Sequence, residues 1–172
     1  GLSATLGDYE LATQWLSSGT KRKTVIPNVP EEKRKIRLGI KYYEIEDKED
    51  ETSILDYYKD LYEKTLNKKC IIFSNSKSEV EENIAHLKKI AKNRNTKDIY
   101  YVHHANISNS LRRQAEEQMK SEEENAITGA TVTLELGIDL GKLDRIVQTG
   151  SPFTVSSFVQ RLRKKRKKRT TC

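Results

Sequence analysis

A chain of 172 residues with 35% hydrophobic and 33% charged side chains is long enough for one good core, and no run in it approaches the 18 or more apolar residues a spanning helix needs. Its formal charge of +7 would ordinarily advertise an anionic partner, but Arg163, Lys164, Lys165, Arg166, Lys167, Lys168 and Arg169 account for all of it, and the remaining Lys and Arg balance the 25 Asp and Glu. Two cysteines, Cys70 and Cys172, give no disulfide framework and no metal-ligand spacing, and without a signal-peptide pattern a reducing, cytoplasmic setting with no membrane partner is expected.

Residues 1–18 read as a strand end, a turn at Gly7-Asp8 and a short helix with Leu11, Trp15 and Leu16 on one face. Residues 19–35, with Pro27 and Pro30 among several Lys and Arg, form a connector without a core of its own. From residue 36 to 45, Ile36, Leu38, Ile40 and Tyr42 alternate with other residues, which predicts a half-buried strand; residues 46–51 are an acidic, solvated loop. Thr52 or Ser53 caps a helix reaching about residue 66, with Leu55, Tyr58, Leu61 and Tyr62 on one stripe.

Cys70-Ile71-Ile72-Phe73 is a continuous apolar run of the kind a buried parallel strand shows. Ser78 with Glu81 makes a capping box for a helix through Ile84, Leu87 and Ile90. A strand at 100–103 follows, then a charged helix capped by Ser108 and running to about 123, strands at 126–128 and 144–149, and a final helix from 155 to about 162. Strand and helix alternate at short spacing, so the fold class is α/β with a parallel sheet and right-handed crossovers. Ligands then sit beyond the carboxyl ends of the strands, at the loops beginning at Ser74, His104, Gly129 and Gly150.

Those loops carry the chemistry. Ser74-Asn75-Ser76 offers small hydroxyl and amide groups next to a helix start, which suits a phosphate oxygen, with plain turn and cap chemistry as the alternative. His103 and His104 point to opposite sides of a strand and cannot share a metal; a phosphate contact by one imidazole stands against one buried and one exposed ring. Thr128 through Thr133 places threonines where a strand meets a helix N-terminus, and Gly137-Ile138-Asp139 allows close backbone approach beside a carboxylate suited to a ribose hydroxyl. No Gly-x-x-x-x-Gly-Lys-Ser/Thr and no Asp-Glu-x-His occurs, so the chain is not expected to hydrolyse ATP by itself.

In this order the pieces resemble superfamily 2 helicases of the DExH type, in particular the large-helicase-related (Lhr) and Ski-like branch. Residues 1–8, Gly-Leu-Ser-Ala-Thr-Leu-Gly-Asp, are similar to motif III, residues 70–76 to motif IV, and residues 103–108 to the family's His-His-Gly-Ser-Leu-Ser, with Ala105 where the family has Gly. Residues 130–141 resemble motif V, Val132 standing in place of the usual Ser, and Gly150-Ser151-Pro152 with Phe158-Val159-Gln160-Arg161 matches the approach to motif VI. The resemblance implies a RecA-like parallel sheet flanked by helices, the P-loop NTPase-type helicase C-terminal domain, over residues 36–162. Residues 1–18 would be the end of a first RecA-like domain and 19–35 the connector. It also implies that Ser74, His104, Thr131 and Thr133 touch DNA or RNA, that Gly137, Asp139, Gln160 and Arg161 meet ATP, and that Ser3, Ala4 and Thr5 couple the two activities. ATP and magnesium would be held mainly by the first RecA-like domain, upstream in a longer protein. With Gly1 at its start and Met119 as its only methionine, the chain is expected to be a piece of that protein.

After Gln-Arg-x the family continues Gly-Arg-x-Gly-Arg, whose arginines stabilise charge at the γ-phosphate, a task for which Lys is the poorer planar donor. Here Lys164 and Lys167 stand at the arginine positions, both glycines are absent, and no catalytic residue is intact. If residues 163–167 were encoded CGG AAG AAG CGG AAG, all permitted codons, reading one base later would give Gly-Arg-Ser-Gly-Arg as they run on. A one-base frameshift after Leu162 is therefore the expected origin of the basic tail at 163–172, against a divergent natural tail or a deliberate change. Sequencing the coding DNA checks it, and codons that do not spell those glycines and arginines in the shifted frame rule it out. The competing functional reading is a nucleic-acid-binding module that works through the tail by salt-dependent, sequence-independent attraction; a third is an α/β domain that binds protein partners.

Overall fold

In the computed structural model, which describes residues 8–20, 23–26, 36–44, 51–131 and 142–163, the elements run α1 (Tyr9–Ser17), α2 (Glu51–Thr65), β1 (Cys70–Phe73), α3 (Lys77–Asn93), β2 (Tyr100–His103), α4 (Asn109–Lys120), β3 (Ile127–Ala130), β4 (Arg145–Gln148) and α5 (Val155–Arg163). The chain forms two units, Gly1–Tyr42 and Tyr43–Cys172. In the first, Asp8 caps α1 by accepting from the Leu11 N–H at 2.9 Å. The helix forms where the sequence predicts it, yet Leu11 and Trp15 are 64% and 77% exposed.

The half-buried strand expected at 36–45 is not formed over the described residues 36–44. Residues 36–44 carry no strand, and Ile36, Leu38, Ile40 and Tyr42 are all exposed. Alternation marks which side chains would face a core, but a strand also needs a neighbour for its N–H and C=O groups, and none of the four described strands pairs with this segment.

The second unit is built on a sheet of order β2-β3-β1-β4, parallel throughout. The central strands β1 and β3 are buried along their whole length, which is why both read as unbroken runs of apolar and small residues. Side chains alternate between two cores. Cys70, Ile72, Tyr100 and Ile127 meet Leu61, Tyr62, Ile84 and Leu87 of α2 and α3, while Ile71, Phe73 and Ala130 on the other face cluster with Met119 and Leu143.

On α2 the buried stripe is Tyr58, Leu61, Tyr62 and Thr65 at i, i+3, i+4, i+7. Leu55, expected on it, is exposed, and the helix starts at Glu51, ahead of the expected caps at Thr52 or Ser53. The Thr65 hydroxyl enters the core by donating to the Leu61 carbonyl at 2.9 Å. Asn67 and Asn95, just past α2 and α3, adopt φ of 54° and 51°, the left-handed turn that asparagine tolerates after a helix. The cap of α3 lies two residues earlier than expected: Ser76, not Ser78, accepts from the Glu79 N–H at 3.2 Å, and Glu79 accepts from the Asn75 N–H at 3.0 Å. Both Ser-x-x-Glu pairs satisfy the capping pattern; the position at which β1 ends selects the first, and Glu81 is left for other use.

Burial pushes the Cys70 thiol up to about 12. A raised pKa means that stability from the buried neutral thiol is fully present below the ordinary thiol value and is lost as pH rises above about 9, at about 1.4 kcal/mol per pH unit. Urea midpoints at pH 8 and pH 10 should fall accordingly, and Cys70→Ala should flatten that part of the profile.

Candidate nucleic-acid interface

Because the four strands are parallel, their carboxyl ends open together at one end of the sheet. The register sets Phe73 level with both Ala130 and Gln148, and His103 level with Ala130. Residues 74–76, 104–108, 131 and 149–151 therefore emerge side by side, as expected for a ligand-facing edge of an open α/β sheet.

Of the residues singled out by sequence, Ser74, His104, Thr131 and Arg161 are brought to this end, and all four are buried, at 0%, 2%, 7% and 0% exposure. Gln160 lies on α5 next to Arg161. Ser3, Ala4, Thr5, Thr133, Gly137, Asp139, Lys164 and Lys167 lie outside the described residues.

The Ser74 hydroxyl oxygen accepts from Asn83 Nδ2 at 3.1 Å and from Thr149 Oγ1 at 2.9 Å. Its backbone N–H donates to the Ala130 carbonyl at 3.0 Å, extending the β1–β3 ladder by one residue. His103 and His104 do point to opposite sides, but neither is exposed, which corrects the expectation of one buried and one exposed ring. His103 Nε2 meets Glu116 of α4 at 3.0 Å, and His104 Nε2 meets Glu81 of α3 at 2.7 Å. His104 Nδ1 accepts from the Asn106 N–H at 3.2 Å, so Nε2 is the donor to Glu81 and both ring nitrogens are occupied. The imidazole thus shapes the 104–108 loop from beneath. Beside the loops Lys77, the first residue of α3, is exposed, and its ammonium donates to Asn106 Oδ1 at 2.7 Å, tying the start of α3 to the β2 loop.

Arg161 enters from α5 and lies over the Phe73 ring, its guanidinium carbon 5.0 Å from the ring centre, while Nη1 donates to Gln148 Oε1 at 3.2 Å. A guanidinium on an aromatic face with an amide acceptor is a favourable way to bury that charge. Nearby, Asn75 Nδ2 crosses to the Ser151 carbonyl at 3.0 Å, and a Cβ on Gly150 would come within 2.9 Å of that nitrogen. Glycine at 150 is what lets the β1 and β4 loops be stitched together so closely.

Sequence reasoning missed Asn83, Gln148 and Thr149. Two of them carried a signal. Asn83 is a polar member of the buried α3 stripe Val80, Asn83, Ile84, Leu87, and Gln148 follows Ile146 and Val147 in a strand of the central sheet. A polar side chain in an apolar pattern is hydrogen-bonded in the core far more often than it is misplaced.

Fold and loop arrangement define a RecA-like helicase domain, and the chain belongs to the helicase conserved C-terminal domain family, whose profile matches residues 53–165. Within superfamily 2 the similarity is to the Lhr branch. The chain is 31% identical over 169 residues to the ATP-dependent helicase Lhr-Core of Methanothermobacter thermautotrophicus, covering 94% of this chain and 19% of that protein. It is 37% identical over 92 residues to the ATP-dependent helicase Lhr-Core protein 2 of Thermococcus barophilus, covering 54% of this chain and 10% of that protein. The structure of Mycobacterium smegmatis helicase Lhr bound to ssDNA and AMP-PNP superimposes with a TM-score of 0.80 at 26% identity, over 96% of this chain and 22% of that one. The chain thus spans about a fifth or less of the length of the Lhr-Core relatives it matches. No helix among the described residues is long and apolar enough to cross a membrane.

Proposed function

We propose that this chain is the second motor domain of an ATP-dependent nucleic-acid helicase, which grips a DNA or RNA strand at the carboxyl end of its sheet while it closes on the first RecA-like domain. The observation that carries this reading is the convergence of the four loops at 74–76, 104–108, 131 and 149–151 on one edge, in a chain similar to a helicase solved with single-stranded DNA and a nucleotide analogue. In this proposal Ser74, His104 and Thr131 set the loop geometry from below, Lys77 and the loop backbone meet phosphates, and Thr133 adds a contact. Gly137, Asp139 and Gln160 face ATP, with Arg161 supporting α5, and Ser3, Ala4 and Thr5 link the two tasks. ATP and its magnesium supply the driving chemistry from the upstream domain.

Binding of a fluorescent oligo(dT) strand to the full chain and to a variant ending at Leu162, measured against salt, tests the reading. Binding should survive tail removal, with a salt slope reduced by about 0.7 per phosphate the tail had neutralised, and Lys77→Ala should weaken what remains. Complete loss of binding on tail removal would favour the basic-tail module and sink the proposal.

A further inference from the structure

Beneath the loops lies a group of polar side chains of which the family's motifs and the proposed contacts use only Ser74. The Tyr57 hydroxyl, on α2, donates to Asn83 Oδ1 on α3 at 3.1 Å, and Asn83 Nδ2 donates to Ser74 Oγ, just past β1, at 3.1 Å. Ser74 Oγ lies 2.9 Å from Thr149 Oγ1, just past β4. The series therefore runs Tyr57, Asn83, Ser74, Thr149. The Tyr57 and Thr149 hydroxyls and the Asn83 amide donate its three links, and each member lies on or just past a different element. A connected series of this kind in a low-dielectric setting holds its members together more firmly than isolated pairs do.

Tyr57 is the member farthest from the strand ends in sequence and the one held from outside. Its ring meets Tyr43 edge-on at 5.3 Å and Tyr58 at 4.9 Å. Tyr43 is fixed in turn by donating to Asp60 Oδ2, and Tyr58 by donating to Glu82 at 3.0 Å and stacking on His86 at 3.8 Å. The aromatic contacts set where the Tyr57 hydroxyl points; the hydrogen-bonded series through Asn83 then sets where Ser74 and Thr149 sit. Ser74 and Thr149 begin the two loops that Asn75 joins through Ser151.

We infer that Tyr57 is a positioning residue: through Asn83, Ser74 and Thr149 it holds the β1 and β4 loops in the spacing at which they meet a nucleic-acid backbone. The loop-spacing part stands on the geometry, and the nucleic-acid part rests on the function proposed above. The full chain carrying Tyr57→Phe, Thr149→Val or Thr149→Ser separates the two. Tyr57→Phe deletes one hydroxyl and keeps the aromatic contacts, and Thr149→Ser keeps the hydroxyl that Thr149→Val removes.

Amide hydrogen exchange by NMR should accelerate about tenfold, the equilibrium equivalent of about one net hydrogen bond, at Ser74 and Thr149 in Tyr57→Phe and Thr149→Val. Thr149→Ser should restore the slow rates. The Cys70 and Ile127 amides, bonded at the opposite end of the sheet to Ala126 and Ile99, should be unchanged. Oligo(dT) affinity should fall in the same two variants and recover in Thr149→Ser. Unchanged exchange at Ser74 and Thr149, or an equal rise at Cys70 and Ile127, overturns the inference, the second because it reports global destabilisation only. Wild-type protein that binds no oligo(dT), yet shows the localised exchange pattern, keeps Tyr57 as the brace of the loops and removes the nucleic-acid reading.

Discussion

Phe73→Ala is expected to lower the free energy of unfolding by about 3–5 kcal/mol. Phe73 is fully buried at the carboxyl end of β1, level with Ala130 on one side and Gln148 on the other. Truncation leaves a cavity and also removes the aromatic face under the Arg161 guanidinium, a contact worth up to about 2 kcal/mol when desolvated. For a domain whose total stability is about 5–15 kcal/mol, the loss is a large fraction. Phe73→Leu, which fills most of the volume but offers no π face, should cost less, and the difference measures what Arg161 draws from the ring. Urea unfolding followed by circular dichroism is the measurement, because the only tryptophan, Trp15, belongs to the other unit. A loss below about 1 kcal/mol for the alanine variant, the level of a surface change, would mean that Arg161 is not held as described.

Gly129→Ala is expected to cost about 1–3 kcal/mol, although it adds a single methyl to a strand. A Cβ at 129 would stand 2.7 Å from Ile84 Cγ1 and 3.1 Å from Val80 Cγ1, closer than carbon atoms approach without displacement. Those atoms belong to the inner face of α3, and Ile84 is itself locked among Leu61, Leu87 and Ile127, so neither can swing away. Gly129→Val should be worse, since it adds two more carbons in the same space. Combining Gly129→Ala with Ile84→Ala supplies the check. The single Ile84→Ala change should cost about 2–5 kcal/mol, and the double variant should be clearly more stable than the sum of the two losses predicts. Additive losses would show that the two residues are not in contact.

Most of the second unit is legible in the sequence. The β1 run Cys70–Phe73, the helix behind Ser108 and the alternation of strands with helices all appear where local pattern predicts them, because a strand buried on both faces must be continuously apolar and a helix start must supply an acceptor for its free N–H groups. The segment around Ile36 to Tyr42 shows the limit: its period of two is as regular as any in the chain, yet it forms no strand, since pairing depends on a partner that local pattern does not contain. The Ser78 and Glu81 pair failed for a related reason. Two overlapping capping boxes were available, and the choice between them turned on the residue at which β1 stops pairing.

Sequence by itself determined the kind of fold and the order in which its loops present small, hydroxyl and amide residues, because hydrophobic period and cap chemistry act over a few residues. Only the tertiary structure decided what those residues do. It turned Ser74, His104 and Arg161 inward, gave each a partner 9 to 23 positions away in Asn83, Glu81 and Gln148, and joined Tyr57 to Asn83 and Thr149 to Ser74. Such pairings arise when parallel strands bring distant segments level. A buried polar group must then find its hydrogen bond among whatever neighbours the packing supplies.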